Sequence, residues 1–137
     1  MGTILLVEDD DVLRTVLKRI LTGLGHSVRE ASNGMEASLI CLSHQPDLVI
    51  TDIVMPESEG LGLITNLHRK FPQVKIIAMS GGGQGSSATY LQLAQSLGAH
   101  YTLDKPFAME ELLSMVHMAL VAQPDSASIG SDKVKLA

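Results

Sequence analysis

Five short apolar runs along the chain each precede a longer stretch whose apolar residues recur every three or four positions. The short runs are too brief for helices and predict strands at 3–7, 27–31, 48–50, 74–79 and 101–103. The longer stretches predict helices over 12–24, 34–45, 61–70, 88–97 and 107–121. Regular alternation of this kind is typical of a doubly wound α/β fold, with a parallel five-stranded sheet and helices on both faces.

Local signals support several of these boundaries. Asn33 is predicted to cap the second helix, with Glu36 three positions later in a variant of the capping box. Pro46 ends that helix, because the residue before a proline avoids helical geometry. The run Leu48–Ile50 is apolar on every residue, which predicts a central strand buried on both faces.

Composition limits the class of protein. The chain has 137 residues, of which 45% are hydrophobic, so it is long enough for one domain with a full core. We predict a domain over residues 1–122 and a polar, flexible tail over 123–137. A net charge of -5 disfavours a general electrostatic grip on nucleic acid or membrane. The single Cys41 excludes an internal disulfide, and no targeting or spanning segment is evident, so we expect a cytoplasmic protein.

Charged and hydroxyl side chains follow the predicted strands. Glu8 and Asp9 come after the first strand, Asp52 after the third, Ser80 after the fourth and Lys105 after the fifth. Parallel strands share one carboxyl edge, so these five side chains are expected to converge there, where ligands bind in open sheets. At that edge Asp52 is a helix cap, a metal ligand or a nucleophile.

The charge balance of this group favours a metal. Two carboxylates about 4 Å apart repel by roughly 4 kcal/mol at an effective dielectric constant near 20. Lys105 supplies one positive charge for three acids, and the remaining oxygen ligands suit a hard divalent cation, Mg²⁺. The same arrangement prepares Asp52 as a nucleophile towards phosphorus, because phosphoryl transfer requires positioning and charge neutralisation.

Four blocks stand in order along the chain. They read L-L-V-E-D-D, D-L-V-I-T-D-I-V-M-P with Gly60 after it, I-I-A-M-S-G, and G-A-H-Y-T-L-D-K-P-F. In combination they resemble the receiver domain of two-component response regulators over about residues 3 to 122. The resemblance implies a flavodoxin-like fold with strand order 2-1-3-4-5.

The resemblance also implies roles for single residues. Asp52 takes the position of the phosphoacceptor, and Ser80 that of the switch hydroxyl. Lys105 takes the position of the lysine that contacts the phosphoryl group. The implied metal ligands are Glu8, Asp9, Asp52 and the backbone carbonyl of Val54.

The implied function is a stand-alone phosphoacceptor module that assists its own phosphorylation and dephosphorylation but is not otherwise an enzyme. A sensor histidine kinase or a phosphotransfer protein would phosphorylate Asp52. Phosphorylation would then switch a surface for an unknown output protein, with the chain a monomer or weak dimer. We expect no direct contact with nucleic acid or membrane.

Two departures from the family pattern concern the switch. Members usually carry Tyr or Phe three residues before the lysine, where this chain has Thr102. Tyr101 is one position earlier and is expected on the opposite face of its strand. The segment after Ser80 is glycine-rich and longer than usual, and it is interpreted as a flexible loop rather than a phosphate cradle, since it lacks the GxGxxG spacing.

Other protein classes fit less well. A phosphatase of the haloacid dehalogenase type requires a second aspartate two residues after the first, and Val54 occupies that place. A flavodoxin needs a phosphate cradle where this chain has acids. A pseudo-receiver that binds partners without phosphorylation conflicts with the complete acid set, although Thr102 is compatible with it. The five histidines show no ligand spacing, and Cys41 is expected to pack in the second helix.

Overall fold

The computed structural model describes residues 2–53, 60–81 and 87–121. Its ten elements alternate strictly between strand and helix. They are β1 (Thr3–Val7), α1 (Asp11–Gly23), β2 (Ser27–Ala31), α2 (Gly34–Ser43), β3 (Leu48–Asp52), α3 (Gly60–Lys70), β4 (Lys75–Ser80), α4 (Ser87–Leu97), β5 (Tyr101–Asp104) and α5 (Met109–Val121). The predicted tail (123–137) and most of the glycine-rich segment (82–86) lie outside the described residues.

The five strands form one parallel sheet in the order β2-β1-β3-β4-β5. This confirms the predicted doubly wound fold and its flavodoxin-like strand order. Every residue of β3 is buried, as expected for the strand at the centre of a sheet that is covered on both faces. None of the helices within the described ranges is long and apolar enough to cross a membrane.

Side chains that alternate along the strands divide the core into two layers. Leu5, Val7 and Val49 pack on the face covered by α2, α3 and α4. Ile4 and Leu6 pack on the other face with residues of α1 and α5. Because both faces of the sheet are covered by these apolar layers, the polar residues lie at the carboxyl ends of the strands.

Side-chain caps fix where the first two helices begin. The Asp10 carboxylate accepts hydrogen bonds from the Val12 and Leu13 amides at 3.0 and 3.2 Å, so this acid caps α1. Asn33 accepts from the Glu36 amide at 2.9 Å, which confirms the predicted cap of α2. Because Asp10 serves the helix, Glu8 and Asp9 remain available to the sheet edge.

Some predicted ends of the helices differ from those in the structure by one or two residues. The last helix begins at Met109 rather than residue 107, because the carbonyl of Ala108 accepts its first hydrogen bonds. In α1, Leu17 is buried but Val12 and Val16 are exposed. Consecutive helical residues lie about 100° apart around the axis, so Val16 points away from the sheet that Leu17 contacts.

Candidate functional site

The carboxyl edge of the sheet collects the polar groups that the strand pattern predicts. Glu8 follows β1 directly, Asp52 is the last residue of β3, and Ser80 is the last residue of β4. Lys105 follows β5, and its amide donates to the Ser80 carbonyl at 2.7 Å. All four residues therefore lie at or directly after the carboxyl end of a strand, and none of them belongs to a helix.

The ammonium of Lys105 lies between two buried carboxylates. Its Nζ is 2.9 Å from Glu8 Oε1 and 3.3 Å from Asp52 Oδ2. Glu8 is fully buried and Asp52 is 6% exposed, whereas the Lys105 side chain is 23% exposed, so both contacts are partly shielded from water. Contacts of this kind bring residues 97 and 53 positions apart in sequence into one site.

Burial and charge act together on the ionisable groups. Burial raises the pKa of the Glu8 carboxyl above its usual range, although the hydrogen bond from Lys105 acts in the opposite direction. Burial alone would lower the pKa of Lys105, but the hydrogen bond to Glu8 and the charge of Asp52 more than offset it, and the pKa of Lys105 is raised. Lys105 is therefore a cation at neutral pH.

Three carboxylates at this edge are arranged as a cation site would be. Glu8, Asp9 and Asp52 each offer a carboxylate oxygen, and these oxygens all lie within 4.8 Å of one another. Asp9 is exposed while the other two are buried, so a cation could enter from the solvent side. Within the described ranges this is the only such group of acids, histidines or cysteines. Val54, the expected backbone ligand, lies outside the described residues.

Ser80 lies at the predicted place, at the carboxyl end of β4. The residue is fully buried, and among the residues that the structure describes its Oγ has no hydrogen-bond partner. A buried hydroxyl without a partner costs free energy. Ser80 is therefore able to gain a hydrogen bond if an acceptor arrives beside it.

Tyr101 and Thr102, on the strand that leads to Lys105, face opposite sides of the sheet. Tyr101 packs against the core layer on the α1 and α5 face, together with Leu103. Thr102 pairs in register with Ala78, whose side chain belongs to the opposite layer. Tyr101 and Thr102 therefore lie on opposite faces of β5, as strand alternation predicts.

Sequence reasoning missed two supports of the site. Arg14 Nη1 donates to the Glu8 carbonyl at 2.7 Å, which the helical pattern of α1 does not reveal. Gly81, interpreted as part of a flexible loop, contacts the Lys105 side chain so closely that a Cβ at Gly81 would lie 2.5 Å from the Lys105 Cβ. The only sequence signal for Gly81 is a glycine directly after a strand end.

Replacing Gly81 with alanine is therefore expected to destabilise the protein. Lys105 or the segment after β4 must move, which we expect to lower the free energy of unfolding by about 1–3 kcal/mol, as overpacking does. Gly62→Ala is the matched control, because Gly62 lies in α3 and a Cβ there meets nothing within 4 Å. The control should gain up to about 1 kcal/mol. Urea denaturation measures both, and a Gly81→Ala protein as stable as the control would contradict the close approach.

The fold and the site together define a class: a doubly wound α/β domain with a buried acid–lysine cluster at the carboxyl edge of its sheet. Comparison with known proteins identifies the family. The profile described as "Response regulator receiver domain" matches residues 4–117. The chain belongs to this family, whose members are phosphoacceptor signalling modules, and the acidic group of Glu8, Asp9 and Asp52 fits the family's magnesium site and phosphorylatable aspartate.

Curated relatives agree with this assignment. The chain is 39% identical over 131 residues to the DNA-binding transcriptional regulator NtrC of Azospirillum brasilense, covering 96% of this chain and 27% of that protein. It is 37% identical over 124 residues to the sensor kinase CckA of Brucella abortus, covering 89% of this chain and 13% of that protein. The chain thus spans only about a quarter or less of these relatives.

Solved structures show the same fold. The receiver domain of NtrX from Brucella abortus has a TM-score of 0.78 and 29% identity, covering 88% of this chain and 99% of that one. The response regulator TrrA from Thermotoga maritima, solved in complex with Mg²⁺ and BeF, has a TM-score of 0.77 and 32% identity. That match covers 88% of this chain and all of TrrA's.

Proposed function

We propose that Asp52 is the phosphoacceptor of this receiver and that its phosphorylation depends on Mg²⁺. The observation that carries the proposal is the placement of Lys105 Nζ between Glu8 and Asp52, beside a third carboxylate on Asp9. A lysine and a divalent-cation site at one carboxylate supply two cations that can neutralise the negative charge of an incoming phosphoryl group.

The residues present fit a magnesium ion. Asp9 and Asp52 would bind it, with the Val54 carbonyl as a further ligand and Glu8 acting through water. All of these donors are oxygen, which Mg²⁺ prefers. When bound, the ion neutralises negative charge on the phosphoryl oxygens. TrrA, solved with Mg²⁺ and BeF, offers a structural precedent among the relatives.

In the proposed transfer, a carboxylate oxygen of Asp52 attacks phosphorus. A new acyl–phosphate P–O bond forms while the bond from phosphorus to the donor breaks, and the donor leaves with that electron pair. Lys105, already 3.3 Å from Asp52 Oδ2, can shift its hydrogen bond to a phosphoryl oxygen. The Ser80 hydroxyl, buried and unengaged among the described residues, can donate to another.

The receiver thus supplies much of the chemistry of its own phosphorylation and dephosphorylation. As a member of its family, it interacts with a histidine kinase or phosphotransfer protein, and small phosphodonors should also serve. Formation of the Ser80 hydrogen bond would favour one of two arrangements of the sheet edge and so change a surface that an output protein binds. Because position 102 is a threonine, this change of the surface takes place without an aromatic ring at that position. We place this function in the cytoplasm, with the chain a monomer or weak dimer.

Acetyl phosphate tests the proposal without a partner protein. Incubated with it and Mg²⁺, the protein should gain the mass of one phosphoryl group, and EDTA should prevent the gain. Intact-mass spectrometry measures the adduct, and hydroxylamine should remove it, as expected for an acyl phosphate. Absence of an adduct, or an adduct that forms equally well with EDTA, would overturn the proposal. Rapid hydrolysis of many phosphomonoesters would instead indicate a phosphatase.

A further inference from the structure

Arg14 of α1 connects three parts of the molecule through one side chain. Its Nη1 donates to the Glu8 carbonyl at 2.7 Å, its Nη2 to Asp11 Oδ1 at 2.6 Å, and its Nε to Glu30 Oε1 at 3.1 Å. The side chain is only 17% exposed. The guanidinium therefore ties the loop between β1 and α1 to the helix and to β2.

The atom that Arg14 holds is the oxygen of the peptide bond between Glu8 and Asp9. A peptide bond is planar, so fixing its oxygen limits the direction in which both neighbouring residues leave it. The Glu8 amide, on the other side, donates to the Ala31 carbonyl at 3.1 Å. With its amide and its carbonyl both bound, the Glu8 backbone cannot rotate without losing a hydrogen bond.

The Glu8 side chain depends on this backbone. Oε2 accepts from the Asp10 amide at 3.1 Å and Oε1 from Lys105 at 2.9 Å. Asp9 is exposed, so its direction is set mainly by the peptide that precedes it. A rotation of the Glu8–Asp9 peptide would separate the three carboxylate oxygens that now lie within 4.8 Å of one another.

Lys18 provides a natural comparison within the same network. Its Nζ donates to Glu30 Oε2 at 2.9 Å, so it shares Glu30 with Arg14. Among the described residues, the ammonium of Lys18 does not bind the Glu8 carbonyl. A planar guanidinium with several donors can serve three acceptors at once, which a single ammonium on a flexible stem does less well.

We propose that Arg14 is a positioning residue of the acidic site: it fixes the Glu8–Asp9 peptide and so preorganises the two acids that follow β1 for a divalent cation. The expected effect on Mg²⁺ binding rests on the proposed function. The expected effect on the Glu8–Asp9 peptide concerns the protein without metal. Arg14 touches neither the cation nor the phosphoryl group in this role. The opposing interpretation is a surface ion pair that contributes only to stability.

The experiment compares Arg14→Met, Arg14→Lys and Lys18→Met with the wild-type protein. Without metal, hydrogen exchange of the Glu8 and Asp10 amides should become about tenfold or more faster in Arg14→Met, while amides of β4 keep their wild-type rates. In a calorimetric titration the Mg²⁺ dissociation constant should rise about tenfold, as when an outer-shell partner of a metal site is removed. Lys18→Met should stay within about twofold of wild type in both measurements.

Each outcome bears on the inference. Wild-type exchange at Glu8 and Asp10 in Arg14→Met would overturn it, as would an equal loss of Mg²⁺ affinity in Lys18→Met. Arg14→Lys is the second variant, in case the methionine variant does not fold. Its Glu8 and Asp10 amides should exchange at rates between those of the wild type and Arg14→Met. If the wild-type protein binds no Mg²⁺, the proposed function fails while the exchange measurements still decide the role of Arg14.

Discussion

An Asp52→Asn protein is expected to acquire no phosphoryl group from acetyl phosphate and Mg²⁺. The asparagine amide fills nearly the same volume at the end of β3, so the fold should persist. It lacks the anionic oxygen that attacks phosphorus, and it removes one of the three carboxylates that could hold the cation. Both losses act in the same direction, and we expect the adduct to fall below detection by intact mass.

Asp47→Asn is the matched control for this loss. Asp47 lies just before β3, at the opposite end of the strand that Asp52 completes. Its Oδ2 accepts from the Thr3 amide at 2.9 Å, and an asparagine oxygen can accept the same hydrogen bond. The control should be phosphorylated at the wild-type rate. An undiminished adduct in Asp52→Asn would place the phosphoacceptor elsewhere.

In the metal-free protein, Lys105→Met is expected to lose more stability than Gly81→Ala or Lys18→Met. The change keeps an unbranched side chain that is one heavy atom shorter, but it removes the cation between Glu8 and Asp52. Two buried carboxylates then face each other without a counter-charge. Breaking a buried ion pair in this way costs about 3–5 kcal/mol, which should appear in urea denaturation at neutral pH without divalent ions.

Lys18→Met again serves as the control, because its contact has the same length. Lys18 Nζ and Lys105 Nζ both lie 2.9 Å from a glutamate oxygen, but the Lys18 and Glu30 side chains are 45% and 32% exposed. An exposed pair contributes at most about 1 kcal/mol. Equal losses in the two variants would show that burial of the Lys105 cluster has no energetic consequence.

The loss in Lys105→Met should depend on pH and on Mg²⁺. Burial already raises the pKa of Glu8, so stability linked to this group is present at low pH and is lost as pH rises through the raised pKa. Without the lysine that loss grows, and the difference from wild type should shrink as the solution is acidified. Mg²⁺ should also stabilise the variant more than the wild type, since the cation replaces the missing charge. If the stability difference between Lys105→Met and the wild type changed with neither pH nor Mg²⁺, a packing defect would be its cause.

Much of the fold follows from the local pattern. Short apolar runs and helical spacing alternate five times, and both periodicities are properties of neighbouring residues. Strand alternation also separates Tyr101 from Thr102 without reference to any distant residue. The boundaries are less secure, as α5 shows, because the first turn of a helix depends on which carbonyl accepts its bonds.

The sequence by itself determined the sheet, its carboxyl edge and the residues delivered there: Glu8, Asp9, Asp52, Ser80 and Lys105. Parallel strands make that edge a consequence of chain order alone. Only the tertiary structure decided that Glu8 is buried while Asp9 is exposed, and that Lys105 lies between Glu8 and Asp52. It also decided that Arg14 holds the peptide between the two acids and that Gly81 leaves room for the lysine. These contacts join separate elements, and their geometry depends on how helices and loops pack over distances that no local pattern records.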